Sequence, residues 1–74
     1  MKKNIIDWLP IKKQQLYNFL IINQGLSSYR MAEIFGISIT TMQENLFYLE
    51  KKGLITIPKN KKGDNVFSKI KINK

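Results

Sequence analysis

The 74-residue sequence predicts an α+β fold, mainly α, in which three helices are followed by a β-hairpin. Three observations carry that prediction. Apolar residues recur at helical spacing as far as Lys52, glycine-containing breaks divide this stretch into three, and after Gly53 the apolar period falls from about 3.6 residues to about 2. No internal repeat or low-complexity tract appears. Residues 1–74 therefore read as one domain, near the lower size limit for a single core.

The first helix runs from Ile11 to about Asn23. Leu16, Phe19 and Leu20 fall at i, i+3 and i+4, with Lys12, Lys13, Gln14, Gln15 and Asn18 elsewhere. Pro10 suits its first turn, where a missing N–H costs little, and Asp7 can cap the free amides. Gln24-Gly25 ends it, glycine tolerating the left-handed conformation of a C-cap. Ser27 or Ser28 starts a short second helix, "YRMAEIF", with an apolar stripe of Met31, Ile34 and Phe35 and a small Ala32 that lets another helix approach. Gly36 stops it. Ser38 caps a third helix that runs to Lys52 and is closed by Gly53. Only "GIS" separates these two helices, and so short a connection with a glycine marks a helix-turn-helix over residues 28–52.

Beyond Gly53, "LITIP" is a short strand, "KNKKGDN" a polar turn and "VFSKIKI" a second strand. Alternation puts Val66, Ser68, Ile70 and Ile72 on one face and Phe67, Lys69 and Lys71 on the other. The pair forms a wing over residues 54–72, one face on the helices and a basic, aromatic face in solvent. Three helices followed by such a hairpin make a winged helix-turn-helix. Its expected core is Leu16, Phe19, Leu20, Ile34, Phe35, Met42, Leu46, Leu49, Ile55 and Ile70. Trp8 and Leu9 of "IIDWLP" either close that core or form part of a dimer contact.

Composition narrows the function classes. The chain has neither cysteine nor histidine, which removes disulfides, thiolate chemistry, the usual zinc sites and the commonest general base. No two titratable residues stand at a catalytic spacing, so no enzyme, cofactor, metal or small-molecule substrate is expected. Asp7 and Pro10 interrupt the N-terminal apolar run before signal-peptide length, and no segment is long enough to span a membrane; the expected location is the cytoplasm.

Charge placement is more informative than the net +8. Up to residue 50, Lys2, Lys3, Lys12, Lys13 and Arg30 stand against Asp7, Glu33, Glu44 and Glu50, a balance of +1. From residue 51 onward, Lys51, Lys52, Lys59, Lys61, Lys62, Lys69, Lys71 and Lys74 stand against Asp64 alone, a balance of +7. An A/T-rich genome explains abundant lysine but not this asymmetry. A single-sign concentration of this kind attracts polyanions.

With Met42, Leu46 and Leu49 turned to the core, Thr40, Gln43, Glu44, Phe47 and Lys51 project outward from the third helix. Gln43 can pair with adenine, Glu44 can accept from a cytosine amino group and Thr40 can meet a thymine methyl. Lys59, Lys61 and Lys62 at the wing tip, with Lys69 and Lys71 on the strand, suit phosphates. Ser28 and Arg30 suit the backbone at the start of the second helix. Phe47 and Phe67, if both exposed beside lysines, are base-stacking platforms.

Residues 28–57 resemble the helix-turn-helix and first wing strand of the LexA family of repressors. The matching positions are Ala32, Ile34, Gly36, Ser38, Glu44, Leu46, Leu49 and Lys52-Gly53 before an apolar strand. The resemblance implies that the third helix lies in the major groove and the wing touches flanking backbone. Repressors of this family also carry acidic residues at the positions matching the third-helix carboxylate. Their peptidase half has no counterpart here, so self-cleavage is not implied. The expected function is that of a small non-enzymatic DNA-binding regulator of an A/T-rich bacterium, phage or mobile element, binding double-stranded DNA, with a homodimer as the form that would read two half-sites. Two alternatives stand beside it: a single-stranded DNA-binding accessory for replication of a mobile element, and a winged-helix protein-interaction module.

Overall fold

The computed structural model describes residues 11–73; Asp7, Trp8, Leu9, Pro10 and Lys74, which entered the expectations above, lie outside the described residues. Helix α1 spans Ile11–Ile22, α2 Ser28–Phe35 and α3 Ile39–Lys51, followed by strands β1 (Ile55–Thr56) and β2 (Lys71–Ile72). The fold is thus the expected α+β arrangement, mainly helical, with a two-stranded antiparallel hairpin after three helices in a winged-helix-like layout. Among the described residues no helix is long and apolar enough to cross a membrane.

The helix ends are set locally. Ser27 Oγ accepts the Arg30 N–H at 3.2 Å and Ser38 Oγ accepts the Thr41 N–H at 3.1 Å, each satisfying one of the free donors of a first turn. Gly36, at φ +69°, ends α2: its N–H donates to Glu33 O and the next N–H, of Ile37, donates to Ala32 O. Gly53, at φ +79°, repeats the arrangement after α3, with bonds to Glu50 O and from Leu54 N–H to Leu49 O. Lys52 is the cap of α3 rather than its last turn.

One core joins Leu16, Tyr17 and Leu20 of α1, Met31 and Ala32 of α2, Met42, Leu46 and Leu49 of α3, and Leu54, Ile55, Ile57 and Ile70 of the wing. Phe19 and Phe35 pack on its edge with their rings edge to face, centroids 5.2 Å apart. Ile34, expected inside, is 54 % exposed. The inward stripe of α2 is Ser28, Met31 and Ala32, all buried, with Phe35 half-buried, at i, i+3, i+4 and i+7, which turns position 34 outward. Met31 of the expected stripe is buried, and Tyr17, Leu54 and Ile57 take core places not foreseen for them.

The second strand is also much shorter than expected. Alternation predicted a continuous strand over residues 66–72, but only Lys71 and Ile72 pair, with Thr56 and Ile55, and a single bridge joins Lys59 to Asn65 nearer the tip. Between these contacts residues 66–70 face only Ile57 and Pro58, and Phe67–Lys69 coil into a 3-10 turn. The donors explain the gap. Pro58, whose carbonyl faces the second strand, has no N–H to give it, while Ile57 faces the other way and donates its N–H to the Glu50 carboxylate of α3 at 3.0 Å. Pro58 O still accepts from Val66 N–H at 2.8 Å, where the excursion begins. Val66, Ser68 and Phe67 are all half-buried, so the two-faced alternation expected for this segment is lost.

Candidate nucleic-acid interface

Helix α3 has two unlike faces because its core side is complete without its outer side. Met42, Leu46 and Leu49 each have no exposed surface. On the other side Thr40, Glu44 and Lys51 are exposed, Phe47 is 38 % exposed and Gln43 is half-buried. The Gln43 amide is held from behind: its Nε2 donates to Ser28 Oγ at 3.5 Å. Ser28 itself is buried, so the hydroxyl exposed at the start of α2 is that of Ser27, already engaged as the helix cap. Arg30 is exposed and pairs with Glu33 at 3.4 Å. An ion pair this open to water is worth little, so a phosphate can displace the carboxylate at small cost.

The wing tip is an ordered turn built around Asn60. Its Oδ1 accepts the backbone N–H groups of Lys62 and Asp64, both at 2.9 Å, while its own N–H donates to Asp64 O and its carbonyl accepts from Gly63 N–H. Asparagine closes turns in this way because a short side-chain carbonyl can replace a backbone acceptor. Lys59, Lys61 and Lys62 therefore leave a fixed backbone, and all three are exposed. Lys69 and Lys71 are exposed farther down the same hairpin.

The base of the wing is tied to the helices by side chains that sequence reading did not single out. Glu50 holds Ile57, and Asn73 donates from Nδ2 to Gly53 O at 3.1 Å while accepting the Thr56 hydroxyl at 2.9 Å. Tyr48 carries two cations, with Lys13 Nζ 5.1 Å and Lys52 Nζ 5.5 Å from its ring centroid. The signal for Asn60 was present in "KNKKGDN", since asparagine two residues before lysine and four before aspartate is a turn pattern. Glu50 gave none, because its partner lies across a glycine turn and on another element.

Phe67 is the chief departure among the candidate residues. It was expected on the solvent face with Lys69 and Lys71, but the 3-10 turn brings it half-buried against the core edge, its centroid 5.7 Å from that of Phe47 and the two planes inclined at 58°. In a strand successive side chains differ by about 180°, whereas in a 3-10 turn they differ by about 120°, so Phe67 and Lys69 no longer share a face.

The candidate residues lie on the outer face of α3, at the start of α2 and along the wing, and among them Gln43–Ser28 joins α3 to α2 and Phe47–Phe67 joins α3 to the wing. The only carboxylates from residue 40 to residue 73 are Glu44, Glu50 and Asp64, of which Glu50 is occupied by Ile57. A cleft of about 300 Å³ elsewhere, between α1 and the α2–α3 turn, is lined by Lys12, Lys13, Leu16, Phe35, Thr41 and Met42 among others, with no carboxylate. No group of three or more metal-ligating side chains occurs among the described residues. No protein-family model, curated protein or solved structure gave a significant match to the chain.

Proposed function

We propose that the chain is a non-enzymatic winged-helix DNA-binding protein, a small regulator in which the basic wing takes the phosphate backbone and the outer face of α3 enters the major groove of a duplex. The observation that supports this reading best is the exposure of every lysine from Lys51 to Lys71 on α3's last turn and the hairpin, against one exposed carboxylate, Asp64, in the same segment. Charge of one sign on a projecting hairpin is suited to a polyanion that passes beside a helix. Neutralised phosphates release counterions, which makes affinity strongly dependent on salt.

The test is a titration of fluorescent duplex DNA over a range of salt concentrations. Replacing Lys59, Lys61 and Lys62 together by alanine weakens binding to every sequence and flattens the plot of log affinity against log salt by up to about 3 units. Replacing Gln43 alters preference among duplexes and leaves that slope unchanged, because its amide carries no charge. A triple lysine variant that binds as tightly as the parent at every salt concentration overturns the reading.

A further inference from the structure

Phe47 is not needed to close the buried side of α3. Helix α3 is anchored by Met42, Leu46 and Leu49, all without exposed surface, and Phe47 lies on the opposite side with 38 % of its surface in solvent. The contact it does make is with Phe67, which the 3-10 turn of the wing sets behind it at 5.7 Å. The two rings are inclined at 58°, so Phe67 braces Phe47 on one side and leaves part of its surface open. Lys51 follows Phe47 by one helical turn on the same face, and Lys69 ends the 3-10 turn that begins with Phe67; both are exposed. Glu44 precedes Phe47 by three residues, also exposed. It repels phosphate, yet a carboxylate there is a ready acceptor for the exocyclic amino group of a base.

A partly open aromatic ring on a helix face that also carries an exposed lysine one turn on is the chemistry that takes the face of a nucleobase together with its phosphates. In a paired duplex those faces are hidden in the stack. Only an unpaired nucleotide offers one. We propose that Phe47, backed by Phe67, stacks on an unpaired base, so that the surface between α3 and the wing prefers DNA with a single-stranded segment beside the duplex. This inference rests on the DNA-binding reading above and adds the substrate class. A contact of Phe47 with a thymine methyl in the major groove is the rival role for the same ring.

The two are separated by anisotropy titrations of the full chain on three labelled DNAs: a blunt duplex, a forked duplex with the same paired sequence, and the single strand. The parent is expected to bind the fork several-fold more tightly than the blunt duplex. Phe47→Ala is expected to bring that ratio to about one, with a loss of about 5- to 150-fold on the fork and the single strand. Phe47→Trp restores the preference, whereas Phe47→Leu, which still covers Phe67, does not. Equal losses of Phe47→Ala on fork and blunt duplex overturn the proposal, as does full rescue by Phe47→Leu. A parent that binds duplex with no preference for the fork overturns this inference alone. A parent that binds none of the three DNAs overturns the DNA-binding reading as well.

Discussion

Leu46 sits between Met42 and Leu49 on the buried side of α3, and none of the three has exposed surface. Truncating its isobutyl side chain to a methyl leaves a void in the core that the three helices and the wing share. Leu46→Ala is expected to cost about 2 to 5 kcal/mol, a large share of the stability of so small a domain, and a melting curve measures it. An unchanged melting temperature would contradict the orientation of α3 on which Gln43, Phe47 and Lys51 depend. Gly53 makes a different argument at the same scale. Nothing lies within 4 Å of the position a Cβ would take there, but φ is +79°. Gly53→Ala therefore costs about 1 to 2 kcal/mol from backbone strain alone, with no clash to relieve.

At the scale of elements, the wing owes its shape to where its backbone donors go. Ile57 N–H turns away from the second strand to the Glu50 carboxylate and ties the wing to α3, Pro58 has no N–H to give the second strand, and the opposing chain forms the 3-10 turn that sets Phe67 against Phe47. Glu50→Ala leaves a partly buried N–H without its charged acceptor. The expected loss is about 1 to 3 kcal/mol by denaturant unfolding, with Glu50→Gln, which keeps a carbonyl oxygen, losing less. The variant also reports on the aromatic pair: with Ile57 released, hydrogen exchange at Ile57 and across residues 66–70 should rise well above that of α3. Protection equal to the parent's there would mean that packing of Ile57 and Ile70, not the carboxylate, holds the wing in place.

For the whole molecule, the separation of core from charge matters most. The tip lysines leave a turn closed by the Asn60 side-chain oxygen, which accepts two backbone N–H groups, and their side chains are exposed, so they contribute to the external field rather than to packing. Replacing Lys59, Lys61 and Lys62 by alanine lowers the net charge from +8 by three and relieves self-repulsion. Its unfolding free energy should stay within about 0.5 kcal/mol of the parent or rise slightly, as for other surface changes. A thermal melt run beside the binding titration checks this, and a clear destabilisation would mean that lost DNA affinity reflects lost structure.

What the sequence by itself determined is whatever short-range chemistry decides. Ser38, Gly36 and Gly53 mark helix ends, and the pair Ser27-Ser28 the start of α2, because a cap needs only its own turn, and the buried stripe of α3 and the lysine-rich segment are equally readable because periodicity and charge are properties of neighbours in the chain. Only the tertiary structure decided that Ile34 is exposed, that Ser28 is buried under Gln43 and that Phe67 turns back to Phe47. A two-residue alternation in "VFSKIKI" assumes that the partner strand offers a donor at every second position. Pro58 withholds one of those donors, and the packing of Phe67 on Phe47 of another element is contained in no local pattern.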